Sequence, residues 1–213
     1  MLRRESWRDN HKRICRLYSE QGLSLRPKRP RRNKSAQRRQ PQPQGLYPNH
    51  VWGMDFVSDA LFDGRRLRLL TVIDLYTREC LGICVVQNLR STEVAEMLNS
   101  IELRRPLPQM LKTDNGSEFA GKMLDSWVYE RGIRIDFSRP RTPTDNATVE
   151  SFNGRLRQEC LNESWFMSLE DARCKIEAWR IHYNQSRPHS ALGWMTPSEF
   201  AVKSAGCQNM QPE

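Results

Sequence analysis

HVWGMDFVSDAL, residues 50–61, is a largely apolar run in which an acid, Asp55, sits awkwardly between Met54 and Phe56. The run reads as a strand. Trp52, Met54 and Phe56 alternate along it, and Asp55, embedded among them, needs a partner. Working outward, the Asp63-Gly64 pair closes a hairpin, and RLRLLTVIDLYT and CLGICVVQN supply two further strands, so three antiparallel strands open the domain. STEVAEMLNSIELRR follows with Val94, Leu98 and Ile101 at helical spacing behind a Ser91 or Thr92 cap. Then come a short strand in QMLKTDN, a helix in SEFAGKMLDSWVYERG stopped by Gly132, and a fifth strand in IRIDFS.

Helices fill the remainder. PTDNATVESFNGRLRQECL sets Asn146, Glu150 and Arg157 along one helical face. SLEDARCKIEAWRIHYN carries Leu169, Ala172, Ile176, Trp179 and Tyr183 as a packing stripe. RPHSALGWMTPSEF reads as a turn-rich loop that docks the last helix, and His189 within it has no paired ligand. The expected division is a core over residues 47–165, a C-terminal helix and loop over 166–203 packed on it, and a frayed tail over 204–213.

The N-terminal part differs in composition. The chain has 213 residues and a net charge of +9, yet residues 1–50 hold 14 Lys and Arg against three acids, so the remainder is slightly acidic. Residues 1–25 place Ile14, Leu17 and Tyr18 at helical spacing before Gly22, like the last helix of a helix-turn-helix unit too short to be whole. The start is therefore expected inside a longer frame or in a truncated product. Residues 26–46 form a basic, Pro/Gln-rich flexible arm. Arg26, Lys28, Arg29, Arg31, Arg32, Lys34, Arg38 and Arg39 are its cations. They suit a DNA backbone by counterion release, or equally a solvated linker. Six scattered cysteines form no CxxC pair and no zinc spacing with the four histidines; Cys80 and Cys84 read as buried thiols. No apolar run approaches the roughly 20 residues of a bilayer span, which points to the cytoplasm.

Three acids stand out. Asp55 lies within the first strand, Asp114 ends the fourth beside a Gly turn, and Glu150 lies on the helix beyond, with 35 residues between the last two. Open α/β sheets build sites at such strand ends. Three carboxylates can hold two Mg²⁺ ions about 4 Å apart for an in-line displacement at phosphorus. Asp74 in TVIDLYT is a second strand acid and reads as a local cap. Asp145 and Glu118 are at best neighbours of the ligands, and Asn115 and Gly116 shape the turn after Asp114.

With VWGMDF, VIDLYTRECLG, KTDNGSEF, PTDNATVESFNGRLRQECL and YNQSRPHSALGWMTPSEF in this order, the chain resembles the Asp-Asp-Glu transposases and retroviral-type integrases. Within them it is similar to the second-frame (OrfB) product of the IS-three family of bacterial insertion sequences, from about residue 4 to 202. The resemblance implies an α/β fold with a ribonuclease-H-like mixed five-stranded sheet and flanking helices, behind a short helical, basic N-terminal segment. It implies a catalytic and metal-binding triad of Asp55, Asp114 and Glu150, with two Mg²⁺ ions per site and Mn²⁺ able to substitute. The implied reaction is cleavage that exposes a 3′-hydroxyl, then transfer of that 3′-OH to a second phosphodiester. Arg157 matches a family position that contacts the DNA end, its alternative being a helix-face pair with Glu159 or Glu163. Asn153, three places from Glu150, would face DNA or a ligand water. Implied partners are transposon ends and target DNA, a first-frame (OrfA-like) product and further copies of the chain on DNA, in a bacterial, nucleoid-associated setting. Two other classes stay open: a truncated, non-catalytic DNA-binding fragment or inhibitor, and a nuclease that only hydrolyses.

Overall fold

The structure is a computed structural model that describes residues 10–21, 23, 45–114, 122–137 and 147–208. Two units divide the chain, Met1–Pro41 and Gln42–Glu213. In the first, α1 (His11–Glu20) starts where the Asn10 side chain accepts a hydrogen bond from Lys12 N–H at 2.9 Å. Ile14 is half-buried there, and Leu17 and Tyr18 are exposed. Gly22, the expected stop, and all eight cations of the arm lie outside the described residues.

The second unit is built on one sheet. Strands β1 (Val51–Ala60), β2 (Arg66–Asp74), β3 (Cys80–Val86), β4 (Met110–Thr113) and β5 (Arg134–Phe137) lie in the order β3-β2-β1-β4-β5. The first three pair antiparallel, while β1–β4 and β4–β5 pair parallel, giving the mixed five-stranded sheet expected. Gly64, with φ +84°, makes the β1–β2 turn, a left-handed conformation that a side chain would strain. Between the strands run α2 (Ser91–Glu102) and α3 (Lys122–Glu130), then α4 (Ala147–Leu156), which continues into a π-helical turn at Arg157–Leu161, and α5 (Leu169–Ser186).

Side-chain alternation sorts the core into two layers. Trp52, Met54, Leu70, Val72 and Leu111 point to the face covered by α2 and α3. Val57, Leu69 and Ile73 point to the other, where Val149, Phe152 and Leu156 of α4 meet Ile176, Trp179 and Tyr183 of α5. Asp55 shares this second face, the opposite one from Trp52, Met54 and Phe56 that flank it in sequence. Strand β3 is an edge, and α5 satisfies its outward backbone groups. Asn184 Nδ2 and Arg180 Nη1 donate to the Cys80 carbonyl, Cys80 N–H donates to Asn184 Oδ1, and Arg173 Nε donates to the Val85 carbonyl. Cys80 is buried as expected, and burial pushes its thiol up; Cys84 is only partly covered.

Two local expectations need correction. Neither Ser91 nor Thr92 caps α2; Arg90 occupies the cap position, and its N–H donates to the Glu93 carboxylate at 2.9 Å. A sixth helix, α6 (Pro197–Gln208), stands where a loop and a tail from residue 204 were expected. Its start is a reciprocal box: Glu199 N–H donates to Thr196 Oγ1 at 3.2 Å, and Thr196 N–H donates to Glu199 Oε2 at 2.9 Å. Pro197 takes the first helical position, where its missing N–H costs nothing. Replacing Thr196 by Ala removes the buried cap, and urea unfolding is expected to show a loss of about 1 kcal/mol.

Candidate active site on the α4 face of the sheet

Asp55 is placed by register. It pairs across β1–β2 with Thr71, which is fully buried on the same face. On the other side, Gly53 lies abreast of Lys112 in the parallel β1–β4 ladder. Continuing that ladder by two residues sets Asp114, just past the end of β4, beside Asp55. Glu150 sits in the first turn of α4, exposed, where the helix N-terminus favours an anion.

The close approach of α4 depends on a glycine. A Cβ on Gly53 would lie 2.5 Å from Val149 Cγ2 and 2.8 Å from Leu75 Cδ2, so α4 sits against bare backbone. That seat brings Asn153 over Asp55. Asn153 Nδ2 donates to Asp55 Oδ2 at 2.8 Å, and Thr71 Oγ1 donates to Asn153 Oδ1 at 3.0 Å while lying 3.2 Å from the Asp55 carbonyl oxygen. Phe56 N–H donates to Asp55 Oδ1 at 2.8 Å. Only this amide orientation gives every atom a complementary partner, since the carboxylate can only accept. Asn153, expected to face DNA or a ligand water, is 9% exposed and turned to the acid, because the helix face at i+3 from Glu150 is angled toward the sheet.

Burial holds the Asp55 carboxyl above its usual range, and the negative charges of Asp114 and Glu150 add to the rise; the bonds from Phe56 and Asn153 oppose it. The three acids are thus within electrostatic reach of one another. They do not close into a cage: among the described residues no three His, Cys, Asp or Glu side chains converge tightly enough to share one ion. The donors are all carboxylate oxygens, which fits a hard cation such as Mg²⁺ that keeps several waters. Asp55 on β1 and Asp114, just past the end of β4, are the residues that would hold such an ion.

Other residues fall as follows. Asp74 is fully buried and accepts from the N–H groups of Asn49, Tyr76 and Thr77, so it secures the β2–β3 turn. Arg157 is exposed at the start of the π-helical turn, and its Nη2 donates to the Ser58 carbonyl at 3.1 Å. Of its two considered acid partners, Glu159 pairs with Arg187 instead. Asn115, Gly116, Glu118, Asp145 and Asn146 lie outside the described residues. Sequence reasoning missed Thr71 and Lys112. Lys112, two places before Asp114, is 2% exposed, and its Nζ lies 4.0 Å from Asp136 Oδ2 on β5. A Lys two places before an acid has no distinctive spacing, so only the strand register reveals it.

Residues 46–143 and 131–197 each match an integrase core domain family. An uncharacterized 31.7 kDa protein of insertion element IS407 from Burkholderia multivorans is 46% identical, covering 95% of this chain and 73% of that protein. An uncharacterized 39.2 kDa protein of IS476 from Xanthomonas euvesicatoria is 43% identical, over 95% of this chain and 58% of that protein. The transposase InsF of IS3A from Escherichia coli is 28% identical, over 74% and 55%. The chain thus spans between about half and three quarters of these relatives. Among solved structures, a simian T-cell lymphotropic virus intasome matches with a TM-score of 0.66 at 20% identity, over 78% of this chain and 60% of that one. The HTLV-2 integrase catalytic core domain in complex with magnesium matches at 0.59 and 20% identity, over 74% and 99%. These likenesses show the fold: the sheet and its helices are those of an integrase catalytic core, ribonuclease-H-like.

Two outcomes follow from the geometry. Gly53→Ala is expected to destabilise the protein by about 1–3 kcal/mol through overpacking. Combined with Val149→Ala in a double-mutant cycle it should show coupling of about 0.5 kcal/mol or more; strict additivity would contradict the contact. Asp55, with its folded pKa raised, costs stability while charged, and that cost vanishes as pH falls through the raised pKa toward the unfolded value. In EDTA, Asp55→Asn should therefore raise the melting temperature at neutral pH, with the gain shrinking on acidification.

Proposed function

The chain belongs to the IS3-family transposases with an integrase core domain, and from that membership we propose that it cleaves DNA at the ends of its element and joins the freed 3′-hydroxyl to target DNA, using Asp55, Asp114 and Glu150. What supports this reading is the parallel β1–β4 register, whose last pair, Gly53 and Lys112, lies two residues before Asp55 and Asp114, together with the charges of Asp114 and Glu150 acting on Asp55.

Two Mg²⁺ ions, or Mn²⁺ in their place, supply nucleophile activation and stabilisation of the leaving oxygen when bound. Asp55 and Asp114 are the residues that would hold them from the sheet and Glu150 from α4. Asn153 keeps one Asp55 oxygen oriented through a hydrogen bond, which leaves the other carboxylate lone pairs for a ligand. Lys112 and Asp136 fix the strand beneath. In the joining step the 3′-hydroxyl oxygen forms a new bond to a target phosphorus as the bond from that phosphorus to the target's own 3′ oxygen breaks. The count of phosphodiesters is conserved and no cofactor is consumed. Arg157, exposed on the Glu150 side of α4, serves a DNA phosphate, as do the eight cations between Arg26 and Arg39. A first-frame protein of the same element and further copies of this chain are the proposed protein partners.

The test is incubation of the chain with Mg²⁺, a 3′-end-labelled DNA carrying its own element's terminal repeat, and target DNA. Shortened and joined strands are expected, and both vanish in Asp114→Asn while DNA binding persists. Asn153→Ala, which frees Asp55 to rotate, should slow both steps by about 10–100-fold. Nicking without joining would reduce the protein to a nuclease, and binding without either would make it a non-catalytic DNA-binding protein.

A further inference from the structure

The flank of α4 away from Glu150 bears a second feature. Thr148, Ser151, Phe152 and Arg155 form one stripe of the helix, on the other side of its buried line from Glu150 and Arg157. Against that stripe opens a cleft of about 380 Å³, closed by Arg78 from the β2–β3 turn, Tyr183 of α5, and the segment from Arg187 to Trp194. Three guanidiniums meet there.

Their charges are poorly balanced. Arg187 is paired with Glu159. Arg78 donates from Nη1 to Thr148 Oγ1 at 2.6 Å, and among the described residues neither Arg78 nor Arg155 has a carboxylate at ion-pair distance. Both are half-buried and so lose hydration; for Arg78 that burial lowers the guanidinium pKa, and the charge of Asp74, beyond ion-pair distance, offsets only part of it. Beside them, His189 packs on the edge of Tyr183, and its Nε2 is buried with no hydrogen-bond partner. Burial and the charges of Arg187, Arg155 and Arg78 hold this imidazole down to about 4, so it is neutral near pH 7. The backbone is also strained at this cleft: Arg78 and Trp194 have φ of +64° and +67°, conformations that non-glycine residues keep only where the surroundings enforce them. A cluster of partly compensated cations, a buried imidazole nitrogen without a partner and an enforced backbone are what an anion site looks like without its anion.

We infer that this cleft binds a backbone phosphate of DNA, with Arg78 and Arg155 as its two cationic arms and the Thr148, Ser151 and Ser190 hydroxyls available to the non-bridging oxygens. Guanidinium forks and hydroxyls match phosphate oxygens. Trp194, 63% exposed at the rim, offers a face for an unpaired base, which an acidic peptide would not use. The inference rests on the DNA-acting function proposed above and adds a second contact surface, so that one strand can be gripped on one side of α4 while the acids act on the other.

The test is equilibrium binding of the full chain to a fluorescently labelled duplex with a short unpaired 3′ end, by anisotropy in EDTA, across about 50–200 mM salt. Arg155→Ala should lower affinity and reduce the slope of log K against log salt by about 0.9, the signature of one lost phosphate contact. Arg155→Lys, which keeps the charge, should retain the slope. Arg78→Ala should behave like Arg155→Ala if its melting temperature is that of the wild type; should it unfold, the Arg155 pair decides alone. Unchanged affinity and slope in Arg155→Ala overturn the proposal. So does a wild type whose cleft captures a labelled acidic peptide, lost in Arg155→Ala, while the DNA slope stays constant. Because no metal is present, cleavage and joining play no part in the readout. A cleft that fails leaves the acid site's function untouched, and an acid site that fails leaves the binding result standing.

Discussion

The seat of α4 on Gly53 is the constraint on which the acid site depends. Asp55 and Asp114 are placed by the ladder of two adjacent strands, but Glu150 comes from a helix that arrives later in the chain, and a helix packs only as closely as the side chains beneath it permit. With no Cβ at Gly53, Val149 drops onto the sheet, Phe152 and Leu156 reach the core, and Asn153 comes within hydrogen-bond range of Asp55. Thr71, directly across from Asp55, completes the link by donating to Asn153. A buried amide held from both sides in this way is rigid, and rigidity here means that the carboxylates are oriented before a ligand arrives.

The same placement explains why acids crowd where their charge is unfavourable. Asp55 pays in hydration, and its neighbours Asp114 and Glu150 raise its pKa further. An unliganded site of this kind stores instability that a divalent cation relieves. Lys112, two places before Asp114 on β4, is joined across the sheet to Asp136 on β5.

Much of this was legible in the sequence. The five strands follow from alternation and turn chemistry, because runs such as RLRLLTVID have few other ways to hide their side chains. Asp55 stood out as an acid among the apolar residues of a strand, Asp114 by its strand-end position, and Glu150 by its spacing from Asp114. What was not legible was mostly tertiary. Nothing in the local pattern distinguishes an Asn153 facing outward from one facing Asp55; the rotation of α4 is decided by a glycine 100 residues earlier. Lys112 is identified only by its register with Gly53 and Asp136. The last helix was a different kind of miss: Thr196, Pro197 and Glu199 are a local start signal, hidden inside a segment rich in turn residues. The cationic cleft joins Arg78, Arg155 and Arg187 from three separate elements, and no spacing in the chain announces it.

Helix α4 thus lies between the acid site, on the flank that also bears Arg157, and the cleft of Arg78, Arg155 and Arg187 on the other, in a unit whose sequence is slightly acidic as a whole. The central claim, that Asp55 and Asp114 form one ligand pair for a divalent cation, is tested most directly by anomalous diffraction from crystals of the protein soaked in Mn²⁺. The account predicts a manganese peak between the Asp55 and Asp114 carboxylates, with Asn153 still bonded to Asp55. Manganese bound elsewhere, with no peak between these two acids, would contradict it.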